Sequence, residues 1–479
     1  MTDFSQYTSP YSWRYGSTEM RRIWGEEHKR RLWRSIWVAL AEAQLEFGIG
    51  TPAQVEDLRA HQNDIDVLRA LAIESKIHHD LMAEIKTFAE QCPIGGGLIH
   101  LGATSVDVKD NATALQLRES LDWIIQGLCS LLEILAPKII TFANTPIMAL
   151  THLQPAEPST VGYRLAQYAQ DLFADLENLS HIRQQIKGKG FKGAVGTSAS
   201  YVELLGLENI ARFEALLSEK LDLPFYSITT QTYPRKQEYQ VFSALAGLGA
   251  SIYKLAFDLR ILQSPSIGEF AEPFGSQQVG SSAMPFKRNP IQAEKLNSLA
   301  RLLAQFPRVG WDNAAHSLLE RTLDDSANRR TLLPEAFLIT DELLRVAVVV
   351  VGGLQVNERA IARNLAAYGP FAATERVLMA LCQAGADRQK MHDRLRKHSM
   401  AAWEAVENGQ PNPLASLIAA DEMFCRYLTS EELTRLMVPS TYVGDAPQRG
   451  VHFAEEILKR LVWIKGAAYH TQVGGEGER

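Results

Sequence analysis

The chain has 479 residues, 46% of them hydrophobic and 22% charged, the mixture of a folded globular protein with room for about three domains. Lys plus Arg number 49 against 55 Asp plus Glu, a net charge of -6, which excludes a globally basic nucleic-acid binder and leaves open a local basic pocket for a small anion. The four cysteines, Cys92, Cys129, Cys382 and Cys425, lie far apart and form no CxxC pair, which argues against zinc or a disulfide framework and for a reducing compartment.

In chain order, the polar and aromatic start MTDFSQYTSPYSWRYGSTEM lacks the apolar core of a signal peptide. Leu32, Ile36, Leu40, Ala43 and Phe47 then recur at steps of three or four. This predicts a helix that stops at Gly48-Ile49-Gly50, with Thr51-Pro52 as the N-cap and first turn of the next. Longer apolar runs extend from Leu121 to Leu135, from Leu165 to Ile186, from Phe242 to Leu262, and from Phe337 to Leu354 after Pro334. Their spacing of about 3.5 predicts rods of roughly 30–45 Å, packed as a large bundle shared between subunits or as a monomeric helical array. Strand signals are few. Interruptions rich in Gly, Ser and Pro at 92–105, 144–160, 188–200, 264–290 and 307–313 are expected to be loops, where a rigid scaffold tends to carry its site. The longest apolar run, Val346 to Leu354, is too short to span a bilayer, so a cytoplasmic protein with no membrane partner is expected. Beyond about residue 356 shorter helices are expected, and 474–479 as a frayed tail.

Two motifs lead nowhere. Gly188-Lys189-Gly190-Phe191-Lys192-Gly193 matches GxGxxG formally but follows a long helix, so a glycine-rich turn is the better reading than a dinucleotide site. His78-His79-Asp80 lacks an i, i+4 histidine pair and any nearby cysteine, so hydrogen-bonded polar groups are expected there and no metal.

Three loop segments stand out together: HLGATSVD at 100–107, LTHLQPA at 150–156 and GSSAMPFKRNP at 280–290. The third is a mobile loop with two hydroxyls, a lysine, an arginine and an asparagine, suited to binding and activating around a carboxylate. The second offers His152 just before a proline-led turn as a positioned acid or base. The first offers Thr104, Ser105 and backbone N–H groups ahead of a long helix, where an anion is favoured. Each segment alone reads as a capped turn; three in one helical chain shift the balance.

The 280–290 segment resembles the GSSxMPxKxNP signature of the fumarase/aspartase superfamily, and 100–105 and 151–156 resemble its other two regions, in order and spacing. The resemblance implies an all-α fold in three parts, here 1–104, 105–356 and 357–479. In it the central long helices build a homotetramer whose active sites take residues from three subunits. It also implies elimination of fumarate from a succinyl-bearing substrate, with no cofactor and no metal. Arg321 to Arg330, Ser12 to Gly16 and Gln231-Thr232-Tyr233 resemble the adenylosuccinate lyase branch, whose substrates, unlike those of argininosuccinate lyase, carry a phosphate that arginine forks hold bidentately. The substrates implied are adenylosuccinate and the succinyl-carboxamide ribotide SAICAR.

By the same resemblance Ser281 is the base that takes the carbon proton, and Lys287 and Asn289 hold the succinyl carboxylates. His152 is the acid that protonates the departing nitrogen, paired with Glu294. Thr104, Ser105, Thr151 and Gln231 bind the succinyl group and nearby polar atoms. Arg14, Tyr15, Arg321, Ser326 and Arg330 hold the phosphate, and His79 and Asp80 line the site. His78 and Lys295 stand where the family has arginine, each losing a planar fork. Alternatives are another fumarate-releasing lyase, a non-catalytic structural protein or a nucleotide-binding regulator on the same scaffold. The region 357–479 carries little chemistry beyond Gly444 to Gln448, which echoes the family.

Overall fold

Helix ends in this chain follow from local chemistry. Thr51 is extended, its hydroxyl accepts from the Gln54 N–H, and the Gln54 side chain accepts from the Thr51 N–H, a reciprocal capping box that starts the Pro52–His61 helix. The preceding Glu26–Leu45 helix ends ahead of Gly48, whose φ of 78° is costly for any residue with a Cβ. The computed structural model describes residues 5–473, so the expected tail at 474–479 lies outside the described residues.

The four apolar runs are helices, and the fold is all-α as the sequence implies: Ser105–Thr141, Val161–Gln185, Lys236–Leu262 and Asp324–Gly352. The first, with 37 residues, is about 55 Å long, beyond the expected range. Leu135, Leu165, Leu255, Leu259, Val350 and Val351, drawn from all four, surround one small apolar gap. Burying each such side chain stabilises by roughly 1.5–3 kcal/mol, so the seam and not intrinsic propensity holds the rods. Ser105–Thr141 and Lys236–Leu262 are also long and apolar enough to cross a membrane by length and composition, a property shared by the inner helices of a bundle.

Four expectations need correction. The 144–160 interruption is not a loop: Pro146–Thr151 and Gln154–Thr160 form an antiparallel hairpin, Pro146 opposite Thr160 and Thr151 opposite Gln154, with an irregularity between Met148 and Leu150. The two strands pair with no third among the described residues and so tolerate Pro155 and Pro158, which a central strand would not. The 307–313 interruption is the helix Phe306–Ala315, because Pro307 falls in its first turn, where its missing N–H costs nothing. Gly310 there lets Phe242 approach so closely that an added Cβ would lie 2.6 Å from its ring. The fourth rod starts at Asp324, not after Pro334, which lies inside the helix and can give no N–H to the carbonyl four residues back, that of the exposed Arg330. Beyond residue 356 the helices are not uniformly short: Glu358–Gln383 and Ala446–Val473 have 26 and 28 residues.

The residues gather into two compact units. One comprises the chain up to Leu128 with Asp175–Ala250 and Ser298–Arg345, the other Cys129–Ala174 with Ser251–Asn297 and the chain from Val346 on. A core of the first includes Trp33, Ile36, Trp37, Leu40, Phe88 and Phe213; one of the second includes Val377, Leu381, Leu414, Ile418 and Phe424.

Candidate active site

In the second unit, Ser281 opens a tight turn. Its Oγ accepts from the N–H groups of Met284 at 3.1 Å and Ala283 at 3.4 Å. The Lys287 N–H donates to the Met284 carbonyl, and the Asn289 amide donates to the Gly280 carbonyl at 2.9 Å, so the loop folds on itself. Gly280 is required: a Cβ would sit 2.1 Å from the Lys287 carbonyl oxygen. Lys287 and Asn289 line a cavity of 440 Å³ with Arg260, Arg288 and Glu272.

His152 is at the hairpin tip in the same unit. With Thr151 paired to Gln154, His152 and Leu153 are the two central turn residues, at φ 55° and 59°. Positive φ at both is the type I′ requirement that Asn-Gly usually meets; here two bulkier residues accept roughly 1–2 kcal/mol each of left-handed strain. His152 lines a cavity of 520 Å³ with Tyr163, Arg164, Tyr168 and Lys254. Glu294 lies in the first turn of the Ile291–Leu303 helix and is exposed, with Lys295 part-buried beside it. No hydrogen bond or ion pair joins His152 to Glu294 among the described residues.

The first unit carries the other candidates. His78, left-handed at φ 56°, closes the Val67–Ile77 helix; His79 caps the next, its Nδ1 accepting from the Met82 N–H. Asp80 takes the Lys109 ammonium at 2.5 Å and the Arg330 guanidinium at 3.5 Å. Burial pushes the Asp80 carboxyl up, but Lys109 and the Leu81 N–H outweigh it and hold it below the usual carboxylate range. Asp80, Ser326 and Arg330 line one cavity of 200 Å³ with Lys109, Trp24 and Trp33. Arg321 pairs with Asp325 at 3.0 Å. The Gln231 N–H donates to the Glu320 carbonyl, which ties that segment to the stretch before Arg321. Thr104 and Ser105 open the first rod, the Thr104 N–H donating to Asp107. Arg14 is exposed over the Trp13 ring, and the Tyr15 ring packs against Tyr11.

A family model described as Lyase matches residues 13–303, and one described as Adenylosuccinate lyase C-terminus matches 370–449. The adenylosuccinate lyase of Saccharomyces cerevisiae is 38% identical over 465 residues, 95% of each chain, and that of Schistosoma mansoni is 38% identical over 456 residues, 94% of each. The chain belongs to the adenylosuccinate lyase family. Among solved structures, the 3-carboxy-cis,cis-muconate lactonizing enzyme from Pseudomonas putida superposes with a TM-score of 0.83 at 25% identity, over 94% of this chain and 99% of that one.

In this adenylosuccinate lyase family member, several supporting residues carry little or no local signal in the sequence. Asp107, fully buried, accepts from Lys189 and from the N–H groups of Thr104, Lys192 and Gly193. The glycine-rich turn at 188–193 is thus a cradle for the carboxylate that shapes the Thr104 loop; a GxGxxG match after a helix was the only signal. Arg235 joins Asp110 at 3.0 Å to Asp325 at 2.6 Å, and Arg329 pairs with Glu238 at 2.5 Å, a buried network beneath Arg321. Its members are scattered from 110 to 329, so no local pattern marks them. The 370–449 match covers the part of the chain that looked almost silent.

Proposed function

We propose that this lyase splits adenylosuccinate into AMP and fumarate, and SAICAR into AICAR and fumarate, by β-elimination across a carbon–nitrogen bond. A proton leaves the carbon next to a carboxylate, negative charge builds on that carboxylate, and the C–N bond then breaks with protonation of the nitrogen. The curated relatives favour this reading over an argininosuccinate lyase or a non-catalytic scaffold protein.

The observation that carries the chemistry is the Ser281 hydroxyl, which already receives two backbone N–H groups. Donors aimed at an oxygen favour the alkoxide that a serine needs to act as a base. Lys287 and Asn289 hold the succinyl carboxylates, His152 supplies the proton to nitrogen, and Glu294 orients its ring. Thr104, Ser105, Thr151 and Gln231 bind the succinyl end, and Arg14, Tyr15, Arg321, Ser326 and Arg330 bind the phosphate.

The protein acts in the cytoplasm as a homotetramer with active sites shared between subunits. Support comes from exposed apolar residues on or beside the rods, Phe257, Val349 and Leu302 among them, and from a His152 ring that finds no partner among the described residues of its own chain. Fumarate release by the purified protein given adenylosuccinate tests the activity; its absence overturns it. Mixing inactive Ser281→Ala and His152→Gln chains tests the shared site, since only an assembly that pools residues regains turnover.

A further inference from the structure

The loop that carries Ser281, Lys287 and Asn289 runs from Pro273 to Pro290 and is exposed over most of its length. Its two ends are fastened together by two side chains outside it. Gln263, directly after the Lys236–Leu262 helix, is fixed by its own N–H to the Leu259 carbonyl. Its Oε1 accepts from the Glu272 N–H at 3.0 Å, just before the loop, and its Nε2 donates to the Arg288 carbonyl at 3.1 Å, near the loop's end. Glu272 makes the second tie. Its buried carboxylate accepts from the N–H groups of Gln292 at 3.1 Å and Ala293 at 2.9 Å, the first turn of the Ile291–Leu303 helix that follows the loop. That first turn has unpaired N–H groups, and a carboxylate is the favoured partner there. One amide and one carboxylate therefore set the separation of the loop's ends, while the turn around Ser281 is held by hydrogen bonds inside the loop among the described residues.

We infer that Gln263 and Glu272 are positioning residues for the elimination: they clamp the two ends of the Ser281 loop so that base and succinyl-binding groups enter the site in fixed register. This rests on the reading of the loop as catalytic. A loop whose ends drift misplaces its reacting groups without altering a phosphate site built from other segments. The effect is a fall in kcat, not a loss of nucleotide binding.

The test compares Gln263→Ala, Gln263→Glu, Glu272→Ala and Glu272→Gln in the full-length protein. Gln263→Ala is expected to lower kcat at least about tenfold while AMP affinity stays within about twofold. It is also expected to speed trypsin cleavage after Lys287 and Arg288 by roughly tenfold. Gln263→Glu keeps the acceptor for the Glu272 N–H and loses the donor to Arg288, so it should fall between. Glu272→Gln, which keeps one acceptor oxygen, should recover part of the loss seen in Glu272→Ala. Unchanged kcat and trypsin rate in Gln263→Ala would overturn the inference. So would a parallel drop of kcat, AMP affinity and melting temperature, the mark of a merely structural residue. If Ser281→Ala turns over normally, the catalytic reading of the loop falls, whereas the trypsin rates still decide whether the clamp exists.

Discussion

The ammonium of Lys109 lies 2.5 Å from a carboxylate oxygen of Asp80. Arg330 reaches the other oxygen of that carboxylate only at 3.5 Å, so Lys109 neutralises Asp80 and leaves the exposed guanidinium available to a ligand. In Lys109→Ala, Asp80 should turn to Arg330 and withdraw it from the phosphate. We expect KM for adenylosuccinate to rise about tenfold with kcat changed far less, a loss of binding and not of chemistry. Steady-state kinetics decide it; an unchanged KM means that Arg330 does not serve the phosphate.

Removing the proposed base or the proposed acid should strike turnover alone. Ser281→Ala is expected to lower kcat by about 10²–10⁴ while AMP still binds in calorimetry. His152→Gln should do the same with an unchanged melting temperature, because the exposed ring makes no hydrogen bond among the described residues. Normal turnover in either variant removes that residue from its role.

The network beneath Arg321 makes a different forecast for its neighbour. Arg235 is buried and holds two buried carboxylates, Asp110 and Asp325. Arg235→Ala removes the shortest cation contact of each and leaves Asp110 the longer Arg329 contact at 3.9 Å and Asp325 the Arg329 contact at 3.8 Å with Arg321 at 3.0 Å, at a cost of up to about 3–5 kcal/mol. Thermal unfolding should come well below wild type, and Arg235→Lys, which restores the charge without the fork, should recover part of it. Arg321→Ala removes a part-buried partner of Asp325 alone, so it should chiefly raise KM.

His100 gives the fold a pH dependence. Trp37 donates its indole N–H to the His100 Nδ1 at 3.1 Å, which requires a ring lone pair. Burial, helped by His79, pushes the His100 pKa down to about 4 from 6.5. The unfolded chain therefore takes up the proton first. This contribution to stability is complete above pH 6.5 and is lost as pH falls from 6.5 toward about 4. His100 is left-handed at φ 70°, so Asn is the replacement that keeps the backbone. Denaturant unfolding of His100→Asn at pH 7.5 and pH 5 should differ less than that of wild type; an equal difference would place the acid sensitivity elsewhere.

The rods and the three loop segments were legible because periodicity and turn chemistry are local. Leu135, Leu165, Leu255 and Val351 announce their buried face by spacing alone, and Thr51-Pro52 announces a cap. The hairpin at 146–160 imitates a loop through its prolines and short length, and the 307–313 segment imitates one because the place of Pro307 in a first turn depends on where the helix begins. Ser281, Lys287 and Asn289 stand in one contiguous signature. Their supports do not: Gln263 and Glu272 act through a side-chain amide and a carboxylate on backbone groups up to 25 residues away, and such ties leave no pattern in the chain. Lys109 leaves no pattern either: in the chain it is one more cation on a helix, and only the fold sets Asp80 beside it.

A turn of only two residues turns the hairpin below it into a ruler. Among the described residues the His152 ring has no hydrogen-bond partner in its own chain, so within that chain its height and heading are set by the number of residues in each strand. Successive strand residues face opposite sides, so inserting one residue in each strand would swing the ring to the other face of the ribbon, whereas inserting two in each would restore the heading and raise the ring by about 6.6 Å.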